Sequence, residues 1–511
     1  IKVEAWRSII CIARMVRVTV DQLPLFTKII TYIPYFIALA FSYFRESLSN
    51  VIAVFTGTAE GREIQEYGPL VKSFNCFFEK WMYGRIMDLF ARPVTGVPGA
   101  YMDVLIQSGQ ETSVTTRSLK LTGEARRCLN LGSYNYLGFA ENEGPVADAV
   151  EASVRKFGNT TCSSRLEMGT TTVHRELEQL MAEFLGKEDC ITFGMGYATN
   201  STTIPVICSR GDLIISDMLN HASIIVGCRS SGATIKVFRH NDTAHLEQVV
   251  RKAIIDGQPR THRPWKKILI VVEGIYSMEG EILKLPEVVE IKKRYNCYLY
   301  VDEAHSIGAL GPTGRGVCEY WGVDTKDIDI LMGTFTKSFA SAGGYLCADK
   351  KVIDHLRMNS FSSAADVAMP VPLAQQIISS LSVIMGKDGT NDGKKRLEDL
   401  QRNTTYFRTR LAELGFITVG SEDSPVIPLM VFNPCKMTFF SRLCLEKKIA
   451  VVMASYPATE VELSRARFCV SAGHTIEDLE YALEIITEIG DLCYLRFSKE
   501  DPLYTSIYNA Q

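Results

Sequence analysis

From about Asn130 onward, short continuous apolar runs alternate with longer stretches of helical spacing. The runs are Cys190–Phe193, Leu213–Ser216, Ile235–Phe238, Ile268–Val272, Tyr298–Val301 and Ile328–Met332. Unbroken Val/Ile/Leu runs predict strands covered on both faces, hence a largely parallel sheet between helices. Ligands in such sheets bind beyond the carboxyl ends of the strands. Residues 386–396 (GKDGTNDGKKR) turn polar and glycine-rich and predict a surface loop. Beyond them a helix and a smaller α+β pattern follow, with strands near Val426–Val431, Ala450–Val452 and Arg467–Val470. The division predicted is a large domain over 126–385 and a small C-terminal domain over 386–511. No short-period repeat is visible.

The first 125 residues follow other rules. Residues 1–20 mix Trp6, Ile9, Ile10, Ala13 and Val16 with Lys2, Arg7, Arg14 and Arg17, a basic amphipathic pattern. Ile29 to Phe44 then runs without a charge between Lys28 and Arg45, short of the roughly 18–20 apolar residues that a span wants. Its Tyr, Phe and Pro34 suit an interfacial segment. Residues 1–60 are therefore expected to form an anchor lying on a membrane surface. Residues 61–125, with aromatics around Trp81 and a Pro/Gly stretch from Pro93 to Gly99, are expected to be an arm leading into the large domain.

Composition narrows the function classes. The chain has 511 residues, 46% of them apolar and 22% charged, as an ordinary globular protein does. Lys and Arg total 55 against 58 Asp and Glu, a net charge of −3, which argues against a nucleic-acid binder with a broad basic surface. The 14 cysteines are scattered and form no CxxC pair, so they predict neither a zinc site nor a disulfide framework. Scattered cysteines in a long chain read as buried residues of a reducing compartment.

The unusual residues fall just past the apolar runs. Tyr298–Val301 delivers Asp302-Glu303-Ala304-His305, and a carboxylate there needs a cationic partner. Ile328–Met332 delivers Gly333-Thr334-Phe335-Thr336-Lys337-Ser338. A lysine flanked by hydroxyls beyond a buried strand is a candidate Schiff-base amine, and the hydroxyls can hold a phosphate. Cys190–Phe193 runs into Gly194-Met195-Gly196-Tyr197, a glycine turn opening a helix whose N-terminus suits a phosphate. Leu213–Ser216 leads to His221, which could stack on a flat ring. Pyridoxal phosphate has the aldehyde, the basic ring nitrogen and the phosphate that these groups would use. The DEAH string alone would fit a helicase, but the chain has no G-x-x-x-x-G-K-[ST] loop.

Seven motifs in order, NLGSYNYLGFA (130–140), FGMGYATN (193–200), SDMLNHAS (216–223), VEGIYSMEG (272–280), VDEAHSIGALGPTGRG (301–316), GTFTKSF (333–339) and RARFCVSAGHT (465–475), carry a resemblance. The chain resembles the α-oxoamine synthase family of fold-type I pyridoxal-phosphate enzymes over roughly residues 60–495. The resemblance implies an α/β, aminotransferase-like fold and a decarboxylative condensation of an amino acid with an acyl-CoA. It is strongest to members that join L-serine to a long-chain acyl-CoA. It implies Lys337 as the cofactor-bearing lysine, Asp302 at the ring nitrogen, His305 at the phenolic oxygen and His221 on the ring face. Gly196, Tyr197, Thr334 and Thr336 correspond to phosphate-side positions, and Arg467 to the arginine that takes the substrate carboxylate. No metal is implied.

The same resemblance implies a heterodimer with a related non-catalytic subunit (long-chain-base 1 type), small activating subunits and membrane-bound inhibitory regulators. It implies an endoplasmic reticulum membrane location with the catalytic domain facing the cytosol. Two alternatives stay open: a non-catalytic scaffold of the same complex, and a sibling enzyme using glycine or alanine. The chain also departs from the family pattern. Ala340-Ser341-Ala342 replaces a glycine-alanine-serine run, which is tolerable if residue 340 needs no positive φ. Phe157–Cys162 is less glycine-rich than usual, and Met369-Pro370-Val371-Pro372 is an unusual loop. The Gly311–Gly316 loop reads equally as a tight turn, a phosphate contact or a partner contact.

Overall fold

The computed structural model describes residues 93–107, 121–456 and 458–497, together with a few positions between 23 and 44. The expectations for 1–60 and most of 61–125 lie outside the described residues. Of the early positions, Leu23 is buried against Ile417, Val419, Met430, Phe432 and Leu463, and the Tyr32 hydroxyl donates to Glu462. Among the described residues no helix is long and apolar enough to cross a membrane.

Strands β1 (Val94–Thr95), β2 (Tyr101–Gln107) and β3 (Leu121–Asn130) form an antiparallel ribbon. The large sheet holds β4 (Asp189–Phe193), β5 (Leu213–Asp217), β6 (Thr234–Phe238), β7 (Ile268–Glu273), β8 (Tyr298–Asp302), β9 (Ile330–Thr334) and β10 (Gly344–Ala348). Their order is β4-β10-β9-β8-β7-β5-β6, parallel except for β10, which runs antiparallel to both neighbours. Alternation along each strand feeds two cores. Ile270, Val272, Leu299, Val301 and Leu331 face one, while Leu269, Val271, Tyr300, Ile330 and Met332 face the other. Each large apolar side chain so buried stabilises the fold by about 1.5–3 kcal/mol.

The C-terminal part adds β11 (Val426–Met430), β12 (Ile449–Ala450), β13 (Val452–Ala454) and β14 (Arg465–Cys469). β14 lies between β11 and β13, while β12 pairs in parallel with β3. The single strand expected near Ala450–Val452 is therefore two strands in different sheets, with the chain crossing between them at Val451. Two further expectations are corrected. The strand expected at Ile328–Met332 starts two residues later, because Thr325–Asp327 is a short helical turn. The loop expected at 386–396 ends early, since a helix runs from Asp392 to Glu413. Gly393 belongs to that helix because its backbone lies against Val383, where a Cβ would stand 2.1 Å from the carbonyl oxygen.

Every described cysteine except Cys162 is buried, and all are free thiols. The Gly311–Gly316 segment forms a tight turn, with Gly311, Gly314 and Gly316 at φ of 87°, 75° and 84°. Glu319 fastens it by accepting from the Thr313 and Arg315 backbone N–H groups. Ala340 takes φ 49°, so the condition set by its replacement of glycine is not met: the loop after Lys337 carries an alanine in a left-handed conformation.

Candidate active site

β9 ends at Thr334 and hands the chain to a loop pinned by Phe335 and Phe339, both fully buried and packed edge-on with centroids 5.6 Å apart. Between them Lys337 turns inward. Its Nζ donates to Thr334 Oγ1 at 3.2 Å and stands 5.7 Å from the Tyr134 ring centroid. Among the described residues no carboxylate forms an ion pair with it. Burial pushes its pKa down to about 8, against the pull of Asp302, so about a tenth of the amine is neutral and nucleophilic at pH 7, far more than for an ordinary lysine.

Asp302 ends β8 and Glu273 ends β7, paired in register. Asp302 accepts from Asn200 Nδ2 at 2.8 Å and from the Ala304 N–H at 2.9 Å, donors that suit a carboxylate. Glu273 is pushed well above the usual carboxyl range by burial and then by Asp302, so it is the protonated member of the pair. Its Oε1 accepts the His221 backbone N–H, which seats the turn between β5 and the helix Ala222–Ser230.

Burial lowers the pKa of both His221 and His305, for His305 well below the ordinary value with Lys337 and Arg467 adding repulsion. Both imidazoles are neutral. His305 Nδ1 stands 2.8 Å from the Tyr136 hydroxyl, and its ring meets Tyr134 edge-on at 5.1 Å. Arg467, on central strand β14, has its guanidinium carbon 4.6 Å from the Tyr134 ring centroid. Its neighbour Arg465 is occupied, donating to Leu463 and Met278 carbonyls and lying 3.5 Å from Glu279. Arg467 pairs with no carboxylate among the described residues, and its Nε has no hydrogen-bond partner there. One arginine is thus tied down by oxygens, while Arg467, whose Nη1 has the weak acceptor Met278 Sδ at 3.8 Å, keeps its charge for an incoming carboxylate.

A phosphate has a ready seat. The helix Gly196–Ile207 starts past β4, and its first-turn N–H groups are free as in any helix N-terminus. A Cβ at Gly196 would stand 2.8 Å from Thr334 Cγ2, so only glycine lets the turn approach the lysine loop. Thr336 Oγ1 donates to Thr334 Oγ1 at 3.2 Å, and Tyr197 meets the His221 ring at 6.1 Å. Amine, carboxylate, flanking imidazoles and phosphate seat together match the groups of pyridoxal phosphate, so the residues present fit that cofactor.

The structure brings Lys337, Asp302, His221, His305, Gly196, Tyr197, Thr334, Thr336 and Arg467 into one connected set and leaves none of them apart. Four further residues were not singled out by sequence reasoning in this role. Tyr134 and Tyr136 sit two apart in NLGSYNYLGFA, a spacing that could have marked one face. Glu273 is another strand-terminal carboxylate, like Asp302. Asn200, which reads as a local hydrogen bonder, instead reaches across 102 residues to Asp302.

The aminotransferase class I and II family model matches residues 126–486. The chain is 55% identical to serine palmitoyltransferase 2 of Dictyostelium discoideum, over 91% of this chain and 94% of the relative. It is 49% identical to long chain base biosynthesis protein 2a of Arabidopsis thaliana, over 94% and 97% of the two chains. Human serine palmitoyltransferase 3 is 46% identical over 94% of this chain and 87% of its own. Among solved structures, a serine palmitoyltransferase of Sphingomonas wittichii superposes with a TM-score of 0.71 at 27% identity, covering 85% of this chain and 99% of that one. A structure of the same kind of enzyme with pyridoxal phosphate as its internal aldimine gives a TM-score of 0.71 at 27% identity, over 84% and 99%.

Proposed function

The chain belongs to the aminotransferase class I and II family, and we infer that its activity within that family is that of a serine palmitoyltransferase. It is a pyridoxal-phosphate-dependent acyltransferase that condenses L-serine with palmitoyl-CoA to 3-ketodihydrosphingosine, releasing CoA and CO2. This is the first step of sphingolipid biosynthesis. The observation that carries the reading is the buried Lys337 amine beside a Tyr134 ring that it shares with the open Arg467 guanidinium.

Bound pyridoxal phosphate supplies an aldehyde for amines and a protonated ring that draws off the electron pair left at the amino-acid α-carbon. Lys337 would hold the cofactor, and its amine would be the base for the α-proton. Asp302 keeps the proton on the ring nitrogen. His221 would face the ring and His305 would serve the phenolic oxygen, with the His305 ring held by the Tyr136 hydroxyl at its Nδ1. The Gly196–Tyr197 turn, Thr334 and Thr336 hold the phosphate. Arg467 clamps the serine carboxylate, orienting the α-carbon bonds, with its guanidinium steadied by the Tyr134 face.

The complex is a heterodimer with a related non-catalytic subunit, joined by small activating subunits and membrane-bound inhibitory regulators. It sits at the endoplasmic reticulum membrane, held by residues 1–60 with the catalytic part in the cytosol. Family resemblance supports this placement, and the free buried cysteines suit a reducing compartment.

The test is product chemistry. The protein, purified with its related subunit and given carboxyl-labelled L-serine and palmitoyl-CoA, is expected to release the label as CO2 and form the long-chain ketone. Lys337→Ala is expected to do neither. Undiminished product from that variant would contradict the reading.

A further inference from the structure

Asn200 lies on the helix Gly196–Ile207 and is 1% exposed. Its Nδ2 is 2.8 Å from Asp302 Oδ2 and 3.0 Å from Ser223 Oγ, and its Oδ1 is 2.6 Å from the Tyr300 hydroxyl. Ser223 Oγ in turn is 2.7 Å from His221 Nδ1, which also faces the Ser223 backbone N–H at 3.3 Å. Five groups on three elements therefore form one unbroken polar chain, and its direction follows from what each group can do.

A backbone N–H can only donate, so His221 Nδ1 carries no hydrogen. An amide nitrogen can only donate, so Ser223 Oγ accepts from Asn200 and sends its own hydrogen to His221 Nδ1. The second Asn200 hydrogen goes to Asp302. A reversed amide would set its oxygen against the Asp302 carboxylate, so Asp302 fixes the amide, and the Tyr300 hydroxyl then donates to its Oδ1. Every donor and acceptor of the Asn200 side chain that faces this network is matched.

We propose that Asn200 is a positioning residue that fixes the aim of the Asp302 carboxylate and, by orienting the Ser223 hydroxyl, reinforces the His221 ring tautomer that the Ser223 N–H requires. It leaves His221 with its hydrogen on Nε2, the nitrogen that the chain does not occupy. Asn200, 1% exposed, acts through Asp302 and His221, the residues read above as serving the ring nitrogen and the ring face. The inference rests on the pyridoxal-phosphate reading above and adds to it a residue that holds two of its parts in register.

The experiment uses the full chain with its related subunit, stripped of cofactor and titrated with pyridoxal phosphate by absorbance. Asn200→Ala removes a charge-assisted hydrogen bond from Asp302, and is expected to weaken cofactor binding by about tenfold or more. Loss of three interior hydrogen bonds is expected to lower the melting temperature of the cofactor-free protein by roughly 3–10 °C while leaving it folded at the titration temperature. Ser223→Ala cuts only the His221 branch. It is expected to leave cofactor affinity within about twofold, while moving the His221 Nδ1 resonance of histidine-15N-labelled protein, assigned by its loss in His221→Gln.

Equal affinity of Asn200→Ala and wild type would overturn the proposal, as would a His221 resonance unchanged in both Asn200→Ala and Ser223→Ala. If Asn200→Ala does not fold, Tyr300→Phe decides, with weakening of about threefold or more expected and unchanged binding overturning it. Wild-type protein that takes up no cofactor would instead overturn the functional reading itself.

Discussion

Glu273 and Asp302 stand side by side at the carboxyl ends of adjacent parallel strands, paired in register and both buried. Like charges so placed cannot both be carried cheaply, and burial with the Asp302 charge holds the Glu273 proton on. A neutral Glu273 resembles glutamine in shape and charge. Glu273→Gln is therefore expected to keep cofactor affinity and kcat within about threefold, since it can still accept the His221 N–H. Asp302→Asn is expected to lower kcat by about 100-fold or more, because it removes the group holding a proton at the ring nitrogen. Steady-state kinetics on the two variants check this pair, and equal damage from both would contradict the assignment.

Lys337 gives a pH dependence with a definite sign. Its folded pKa is lowered by burial to about 8, so the neutral amine is lost as pH falls through that value. The rate at which cofactor-free protein captures pyridoxal phosphate is expected to drop about tenfold per pH unit below about 8 and to level off above it. Stopped-flow absorbance between pH 6 and 10 measures the profile; a midpoint near the ordinary lysine value of about 10.4 would contradict it.

Arg467 is expected to act through its fork and its flat face. Arg467→Lys keeps the charge but loses both bidentate geometry and stacking on Tyr134, so KM for L-serine should rise by about tenfold or more. Cofactor absorbance should stay normal, because the variant leaves Lys337 and Asp302 intact. A KM unchanged at normal absorbance would place the carboxylate elsewhere.

Ala340 offers a stability test. At φ 49° it adopts the left-handed conformation that costs an L residue about 1–2 kcal/mol, and Ala340 N–H still closes the turn onto the Lys337 carbonyl. Ala340→Gly releases that strain, less the entropy glycine loses on folding, and is expected to raise Tm by about 1–3 °C. Ala340→Val, β-branched and less tolerant of positive φ, is expected to lower it. Differential scanning calorimetry decides the order.

The parts of this fold that the sequence makes legible are those with one local cause. Ile268–Val272 and Tyr298–Val301 are unbroken apolar runs, the pattern of a strand covered on both faces. Lys337 and Asp302 stand out because they follow such runs closely, at the carboxyl ends of strands where sheets of this kind bind ligands. What stays hidden depends on partners distant in sequence. Nothing local at Val451 tells that Ile449 pairs with Leu129 while Val452 pairs with Arg467. Gly344–Ala348 is short and glycine-led, and its place between β4 and β9 comes from the closing of the sheet. Gly393 reads as a loop residue, yet serves a close helix approach. Asn200 is one amide among many until Asp302 and Tyr300 are folded around it.

The most direct test of the account is the visible absorption spectrum of the chain purified with its related subunit, before and after adding L-serine, glycine or L-alanine. A pyridoxal-phosphate band that is absent in Lys337→Ala and perturbed selectively by L-serine is the predicted result. A wild-type protein with no band, even after incubation with pyridoxal phosphate, would contradict it and leave Lys337, Asp302, His221 and His305 without the chemistry assigned to them.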